Sequence, residues 1–449
     1  MTSVRYIAER APGNRTLGDM AHARCLREDT GKINHNFLYK QLNGKIEVHF
    51  SQERLAGGNM QSWPSLTYTE RLWVHRDPLA SRRSQRKNRG TFQVPHVPYI
   101  SEAPVRLSAD VLASASAASV AMTRFDHEQA SFVHFPFATV LLRGESATSS
   151  QIENLTVNAR KLSLAALGAP VGGNAELVAR NVRAMKAAID VAHELSIDAL
   201  LTMHEELTAG VQDDAGELRK EWVWIGGESP VTARYVAPAW EDAPGLLEDL
   251  VVFLGRRDLD PTVQAALAHA QFETIHPFTD GNGRTGRALI SSLLKARGVT
   301  QYVVVPLSSG LLYDLEGYVS ALEAYRRGDI EPIILCFVDA IESSLANTRL
   351  LAQDIEQFYE QILASRPRVT EAVRKVARFC CSEPAFTAGM LEEHAGVARS
   401  TTYRIIDSLV ETGILRREQK VRGQNAWSAP ALTEALDAFA QRAGRRRFV

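Results

Sequence analysis

Cysteine is scarce in this sequence, and the few that occur are not arranged as metal ligands or disulfides. Cys25, Cys336, Cys380 and Cys381 are the complete set. They lack the paired spacing of a zinc site and the density of a disulfide framework, so we expect reduced thiols and a cytoplasmic protein. We find no signal peptide and no apolar run long enough to cross a bilayer, which predicts no association with membranes.

A strong charge of one sign is also missing. The formal net charge is −1 over 449 residues, with 23% charged and 45% hydrophobic residues. This balance gives no general attraction to nucleic acid or to a membrane surface, so any such affinity has to be local. The composition is that of a globular chain with two or three domains. No GxxxxGK[ST] string is found, which excludes P-loop chemistry, and no HExxH string of a zinc hydrolase.

The most informative stretch is residues 276–287, HPFTDGNGRTGR. Asp260-Pro261 predicts a helix start upstream, because a capping side chain is followed by proline at the first helical position. Pro277 disfavours helical geometry at the residue before it, so this helix should stop with the imidazole of His276 at its exposed end. The glycines on either side of Asn282 allow several N–H groups to turn towards one point, ahead of a new helix at about residue 284.

These residue types together predict a polyphosphate site with a base beside it. A helix N-terminus behind a glycine nest attracts phosphate through its N–H groups and its dipole. Arg284 and Arg287 lie on neighbouring positions of one helical face and can reach further phosphates as forks. Asp280, at the edge of the nest, is placed to hold Mg²⁺, which binds through few carboxylates together with phosphate oxygens.

The string resembles the signature of the Fic (Fido) family, HPFx[DE]GNGRxxR, at every defined position. The resemblance extends over about residues 107–345 and implies a mainly α fold, a Fic-type helical bundle with a β-hairpin flap. It also implies a protein adenylyltransferase that moves AMP from ATP to a Ser, Thr or Tyr hydroxyl of a target protein, with His276 as the base. The nucleotide-binding residues that it implies are Gly281, Asn282, Gly283, Arg284 and Arg287. Relatives resembling Doc toxins, which transfer phosphate, have Lys at the position of Gly283, so the glycine here favours AMP transfer.

A second motif, residues 149–154 with the sequence SSQIEN, matches the [ST]xxxE[GN] pattern that forms an inhibitory helix in many Fic proteins. The pattern predicts a short helix with hydroxyls at its start and a carboxylate about one turn later, just before a long helix. The resemblance implies that Ser149 and Glu153 are inhibitory. Glu153 would pair with Arg287 and occupy the guanidinium that ought to hold the γ-phosphate. Some relatives with this Glu also remove AMP, so that activity stays open.

The remaining chain divides into several predicted parts, which differ in composition and in the spacing of their apolar residues. Residues 221–238 switch to a β pattern and predict a hairpin, which the resemblance identifies as the flap that lies over the active site and holds the target segment by strand addition. The basic run 82–89 is interpreted as a solvated linker. The predicted divisions are an appended or disordered segment 1–62, an N-terminal extension 63–130, the Fic core 131–345, a linker helix 346–367 and a winged helix-turn-helix 368–449.

The C-terminal part has the pattern of a small α/β winged helix-turn-helix domain. A helix over residues 399–412 would be the recognition helix, with Arg399 and Arg404 able to reach a DNA groove, and Lys420 and Arg422 would lie in a basic wing. Winged helices also bind proteins, so both kinds of partner stay open.

Three other functions compete with AMP transfer. The same site suits transfer of another phosphate-containing group, and a non-enzymatic protein would sense nucleotide in the core while the winged helix reads DNA. A metal hydrolase built on His269, His276 and Asp280 has too few ligands at convincing spacing, and we expect His269 in the core. The target protein and the oligomeric state, a homodimer included, are left open by the sequence.

Overall fold

The computed structural model describes residues 38–42, 45–49, 63–73, 81–131, 137–394 and 396–444. The chain divides into two units, Met1–Gln61 and Ser62–Val449. In the smaller unit, β1 (Leu38–Leu42) pairs antiparallel with β2 (Lys45–His49). This hairpin lies in the segment for which the sequence predicts little structure. Cys25 and the other residues of that segment before the hairpin are outside the described residues.

Helices form most of the larger unit, as the sequence predicts, and small antiparallel sheets form the rest. The helices up to the loop that contains His276 are α1 (Arg82–Lys87), α2 (Ala109–Ser131), α3 (Phe137–Ile152), α4 (Ala159–Ala166), α5 (Ala175–Asp190), α6 (Ile197–Thr208), α7 (Ala243–Leu254) and α8 (Pro261–Ile275). The helices after it are α9 (Asn282–Ala296), α10 (Leu307–Tyr313), α11 (Leu315–Arg326), α12 (Glu331–Ala364), α13 (Glu371–Ser382), α14 (Ala388–His394), α15 (Arg399–Glu411) and α16 (Pro430–Gly444). None of the helices in the described ranges is long and apolar enough to span a bilayer.

Three sheets accompany these helices in the larger unit. The strands are β3 (Thr67–Trp73), β4 (Gly90–His96), β5 (Trp224–Ile225), β6 (Tyr235–Val236), β7 (Ala385–Thr387), β8 (Arg416–Arg417) and β9 (Ala426–Ser428). They pair as β3–β4, β5–β6 and β7–β9–β8. The β5–β6 pair confirms the hairpin expected within residues 221–238, although each strand has only two residues. An aromatic cluster that includes Phe92 and Trp224 joins it to the β3–β4 hairpin.

The helix α8 is the centre of the core. The Asp260 side chain accepts hydrogen bonds from the N–H groups of Thr262 and Val263, and Pro261 occupies the first helical position, so the helix begins as the sequence predicts. Every residue from 262 to 275 is buried, and α2, α7, α9, α11 and α12 pack around the helix. A helix covered on all sides is a rigid support, and it ends at the residue before His276.

The helix α12 differs from the sequence expectation. The sequence suggests separate helices at about 330–346 and 353–365, but the structure has one continuous helix over Glu331–Ala364. The predicted break at Arg366-Pro367 agrees with the end of α12, because proline disfavours helical geometry at the residue before it. One apolar stripe runs the length of α12, from Ile333 to Leu363, so the helix packs continuously.

The C-terminal part forms the expected winged helix, with α15 in the recognition position and β8 and β9 flanking the wing. It packs against α3 and α4, the helices on either side of the 149–154 motif. From the wing, Glu418 accepts a two-pronged hydrogen bond from Arg160 of α4. At the other end, Arg143 of α3 donates to Glu383 at 2.6 Å. The wing therefore contacts the Fic-like part of the chain, and the two pack together.

Candidate active site

In the loop after α8, both the backbone and the side chain of His276 are held by their neighbours. His276 adopts a left-handed backbone conformation with φ 50°, and its N–H donates to the Phe272 carbonyl as the helix ends. This agrees with the predicted helix stop before Pro277. The imidazole, however, is only 15% exposed, so the expectation of an exposed side chain was wrong. The flap and α11 cover the ring region, since Tyr235 donates to the Thr274 carbonyl at 2.6 Å and Arg326 lies 3.5 Å from the Tyr235 ring.

The loop is anchored by Phe278 and Asn282. Phe278 is fully buried and stacks on the His204 ring, with 3.8 Å between ring centroids. The side-chain amide of Asn282 accepts from the Phe278 N–H at 2.9 Å and donates to the Phe278 carbonyl at 2.8 Å. The sequence analysis assigns Asn282 to the nucleotide. In the structure both ends of its amide are occupied inside the loop, so only its backbone faces the nest.

His204 supports the same loop from α6. The Gly216 N–H donates to its Nδ1 at 3.0 Å, which leaves Nε2–H to donate to the Asp280 carbonyl at 3.0 Å. Burial lowers the pKa of His204, which keeps the ring neutral and suits this pattern of one acceptor and one donor. His204 is therefore a structural residue of the loop.

The glycine nest lies at the N-terminus of α9. Gly281 has φ 81° and caps the helix, which begins at Asn282, two residues earlier than the sequence suggests. The first-turn N–H groups of a helix have no intrahelical acceptor and attract anions. At Gly283, a methyl group would overlap Oε1 of Glu153 and lie 2.9 Å from a nitrogen of Arg287. Glycine thus avoids a clash where the nest, the arginine and the Glu153 carboxylate meet.

Two arginines and one aspartate complete the cradle. Arg287 is only 2% exposed, and Arg284 is also buried, with its Nε lacking a hydrogen-bond partner among the described residues. Asp280 is 71% exposed and lies 3.4 Å from the nearest guanidinium nitrogen of Arg284. Gln212 donates to the same carboxylate oxygen at 3.2 Å. Two buried cations and one solvent-facing carboxylate therefore line one helix end.

The 149–154 motif contacts Arg287 directly. Arg287 Nε donates to the Ser149 hydroxyl at 2.8 Å, and Nη2 donates to the Ser149 carbonyl and to Glu153 Oε1, both at 2.9 Å. Burial opposes ionisation of Glu153, but the charge and hydrogen bond of Arg287, together with the charge of Arg284, outweigh it and leave the pKa of Glu153 below its ordinary value. The predicted pair is thus formed, with both partners charged at neutral pH.

The local structure of this motif differs from the expectation. Ser149 lies in the last turn of α3, and Glu153 follows in the turn that ends it, where Asn154 has φ 61°. The sequence suggests a short helix with the hydroxyls at its start, before a long helix. Instead a 16-residue helix carries the motif at its C-terminal end, and α4, which follows, has only 8 residues.

Arg219 is a site residue that sequence reasoning missed. It is fully buried and donates hydrogen bonds to the carbonyls of His276, Glu221 and Pro238 at 2.7 to 3.0 Å. Burial lowers its pKa to about 10, so it remains charged. Arg219 ties the flap to the His276 loop. Its partners are backbone carbonyls, and no side-chain pattern in the sequence identifies such contacts.

The surroundings keep His276 neutral. Burial, followed by the charges of Arg326 and Arg219, lowers its pKa to about 4. A neutral imidazole can accept a proton. His269, by contrast, lies in the core as expected, where its Nε2 is 2.7 Å from the hydroxyl of the buried Tyr318. Tyr318 is therefore a core residue, and the described residues contain no group of three His, Cys, Asp or Glu that could hold a metal ion.

Two family models match segments of this chain. The model described as Fic/DOC family matches residues 194–294, and that of the IclR helix-turn-helix domain matches residues 382–419. The chain is 31% identical over 154 residues to "Protein adenylyltransferase fic-1" of Caenorhabditis briggsae, which is 34% of this chain and 28% of the relative. It is 28% identical over 243 residues to "Protein adenylyltransferase Fic" of Drosophila ananassae, 53% of this chain and 45% of the relative.

The chain thus spans less than half the length of these two curated relatives. Among solved structures, a crystal structure of a Fic family protein from Desulfovibrio desulfuricans is 22% identical, with a TM-score of 0.49. It covers 73% of this chain and 97% of that one. The motif at residues 276–287 lies inside the segment that matches the Fic/DOC family, so the chain contains a Fic/DOC-type segment together with an IclR-type helix-turn-helix segment near its C-terminus.

Proposed function

We propose that this protein transfers AMP from ATP to a hydroxyl group of a target protein. The observation that carries the proposal is the position of a neutral imidazole, His276, beside a helix N-terminus with a glycine nest and two buried arginines. The names of the curated relatives, which are protein adenylyltransferases, support the same reaction.

The proposed chemistry uses His276 as the general base. The imidazole accepts the proton of a Ser, Thr or Tyr hydroxyl, whose oxygen forms a bond to the α-phosphorus of ATP. The bond between that phosphorus and the bridging oxygen breaks, and pyrophosphate leaves with the electron pair. Base catalysis of this kind contributes about 10²–10⁴-fold.

Charge stabilisation falls to the nest and the arginines. The backbone N–H groups at Gly281, Asn282 and Gly283 face the α-phosphate, while Arg284 and Arg287 neutralise the leaving phosphates. Donors fixed in place before the reaction need no reorganisation as charge develops, and they act more strongly where water is excluded.

Asp280 fits a magnesium ion. Mg²⁺ in nucleotide sites is held by one or two carboxylates with phosphate oxygens and water, and the Asp280 carboxylate is exposed beside the nest. A bound ion would neutralise phosphate charge. The residue types around the described nest suit a carboxylate-plus-phosphate site better than an all-protein metal cage.

Glu153 restrains this activity in the proposed scheme. Its carboxylate occupies the guanidinium of Arg287, so the γ-phosphate loses its partner and ATP binds in a non-productive pose. Opening of the 149–154 motif would release Arg287. Because Glu153 faces the nest, the same carboxylate is also placed to orient a water molecule for removal of AMP, the alternative activity of this site.

Labelling with [α-³²P]ATP tests the proposal. A Glu153→Gly variant should label proteins in the native lysate, and adding His276→Ala should abolish labelling while nucleotide binding persists. [γ-³²P]ATP should transfer nothing. Transfer of the γ-label would instead indicate phosphate transfer, and a complete lack of α-label in Glu153→Gly would support a nucleotide sensor. Mass spectrometry of the labelled proteins then identifies the target and the modified side chain.

DNA binding by the winged helix is a second candidate function. It is supported by the exposed N-terminal end of α15, where Arg399 is 74% exposed. Two acidic residues limit the positive charge that the winged helix presents to DNA. Arg399 pairs with Glu392 at 3.1 Å, and the wing residue Glu418 faces Arg160 of α4. A mobility-shift assay with the full chain and an Arg399→Ala, Arg404→Ala variant tests it. Unchanged binding in the variant, or none in the parent, contradicts DNA recognition by α15.

A further inference from the structure

Two buried polar atoms beside the proposed base lack hydrogen-bond partners among the described residues. One is Nδ1 of His276, and the other is Oε1 of Glu273, which lies three residues earlier on α8. Nδ1 is 3.8 Å from the other carboxylate oxygen, Oε2. Leaving a buried polar group without a partner is unfavourable, so two adjacent unpaired atoms of this kind call for a functional explanation.

The fold provides room for this carboxylate. Glu273 is buried on the last turn of α8, and its Oε1 is 3.3 Å from where a Cβ on Gly286 would stand, so a larger residue there would crowd it. A small rotation of the His276 or Glu273 side chain would close the 3.8 Å gap to a hydrogen bond.

Charged and titratable groups from α8 and from three other segments surround Glu273. His269, on α8 itself, lies 4.0 Å away. Arg287 of α9, Arg326 of α11 and Glu153 after α3 act on its charge. Burial outweighs the two arginines and raises the pKa of Glu273 to about 7.

We propose, on the basis of the proposed function, that Glu273 is the positioning residue of His276. Its carboxylate accepts a hydrogen bond from Nδ1–H, which fixes the tautomer and leaves the Nε2 lone pair for the target hydroxyl. When Nε2 takes the hydroxyl proton, the negative charge of Glu273 stabilises the imidazolium that forms. No covalent bond to Glu273 is made or broken.

One other acceptor faces Nδ1 and has to be distinguished. The backbone carbonyl of Glu273 also acts to raise the His276 pKa, and it already accepts from Arg326 Nη2 at 3.3 Å. A substitution of the side chain leaves this carbonyl in place. The comparison of Glu273→Gln with the parent therefore separates the two acceptors.

The pH dependence follows from the charge of Glu273. Only the ionised carboxylate stabilises an imidazolium, so the rate of AMP transfer should rise as the pH increases through the pKa of Glu273. Removing Glu153 takes away a neighbouring negative charge and moves that pKa downwards. The rising limb of the Glu153→Gly profile is thus expected somewhat below pH 7.

The test uses the full chain with Glu153→Gly as the parent. Adding Glu273→Gln should lower kcat about 10–100-fold, which is less than the full contribution of about 10²–10⁴-fold from base catalysis, with KM for ATP changed less than twofold. The rising limb of the pH profile should disappear, and Glu273→Asp should recover part of the rate. Glu248→Gln, on the exposed side of α7, is the control and should behave as the parent.

A measurement without turnover accompanies the kinetics. In ¹H–¹⁵N spectra of the side chains, the parent should show protonated Nδ1 and unprotonated Nε2 for His276, and Glu273→Gln should lower the pKa of His276. An unchanged pKa and pH profile in Glu273→Gln would overturn the inference and assign Nδ1 to the backbone carbonyl. A parent that transfers no AMP refutes the proposed function instead, while the spectra still decide the role of Glu273.

Discussion

The carboxylate of Glu153 is bound to the guanidinium of Arg287 across 134 residues of sequence, with 2.9 Å between Oε1 and Nη2. The two partners differ in exposure, since the Arg287 side chain is buried whereas that of Glu153 is 39% exposed. Solvent can therefore reach the acidic partner, and the motif can open without unfolding α9. In the proposed scheme, this contact is a removable restraint on a buried cation.

Removal of this restraint should activate the protein. We expect Glu153→Gly to raise AMP transfer about 10²-fold, equivalent to about 2.7 kcal/mol, because Arg287 becomes available to the γ-phosphate. Glu153→Gln keeps a hydrogen-bonding side chain without the charge and should give a smaller increase. Initial rates with [α-³²P]ATP measure both. Equal rates in the parent and in Glu153→Gly would contradict an inhibitory role.

The Ser149 hydroxyl should contribute a smaller part of the same restraint. It accepts one hydrogen bond from Arg287 Nε. A single hydrogen bond to a charged group stabilises a structure by about 1.5–3 kcal/mol. The backbone carbonyl of Ser149 keeps its own bond to the arginine. We expect Ser149→Ala to raise the rate by about tenfold or less. Ser150→Ala, whose hydroxyl accepts from Asn181 instead, is the matched control.

Replacement of Arg219 should destabilise the loop and the flap together. Arg219→Lys keeps the charge but loses the fork that reaches three separate carbonyls, each of which costs about 1–3 kcal/mol when left buried and unpaired. We expect a loss of several kcal/mol in urea unfolding and weaker AMP transfer in the activated background. Arg257→Ala, at an exposed site, serves as the control. Unfolding curves of Arg219→Lys that overlay the parent would disprove this role.

The buried imidazole of His269 should make stability depend on pH. Burial lowers its pKa to about 3, whereas the unfolded side chain titrates near 6.5. Below pH 6.5 His269 binds a proton in the unfolded chain but not in the folded chain, so it lowers the free energy of unfolding as the pH falls. Glu145 and Glu273, whose pKa values burial raises to about 7, act in the opposite direction between pH 4.5 and 7.

The informative quantity is thus the difference between a His269→Gln variant and the parent. The substitution changes the free energy of unfolding by some amount at pH 7.5. At pH 5 the variant should be about 2 kcal/mol more stable relative to the parent than it is at pH 7.5, since 1.5 pH units below 6.5 correspond to that energy. Urea unfolding at both values measures it, with the exposed His394→Gln as control. A difference that does not change with pH would show that His269 binds a proton as readily in the folded chain as in the unfolded chain.

Contact between the winged helix and α4 should stabilise the inhibitory segment. Arg160 binds the nearly buried carboxylate of Glu418, and the Ala159 N–H donates to Asp437 of α16 at 2.7 Å. Because α4 begins six residues after Glu153, we expect Arg160→Ala to raise AMP transfer, though less than Glu153→Gly does. Arg417→Ala, which removes an exposed pair inside the winged helix, is the control. If Arg160→Ala did not raise AMP transfer, the contact with the winged helix would have no role in inhibition.

Much of the fold and of the site was predictable because the signals are local. Asp260-Pro261 begins α8 and Pro277 follows its end, and these effects act within a few residues of chain. The winged helix followed from helix spacing and glycine positions in the same way. The start of α9 and the position of the 149–154 motif within its helix were predicted wrongly, since helix ends depend on packing as well as on sequence.

The groups that meet at the proposed phosphate site can be identified from the sequence, because His276, Asp280, the glycines and both arginines lie within one loop and one helical turn. Their control depends on contacts that form only in the folded protein. Arg219 acts through backbone carbonyls, the Asn282 amide is consumed inside the loop, and the environment of Glu273 comes from helices far apart in sequence. Burial and long-range electrostatics set these roles, and both arise only when distant segments pack together.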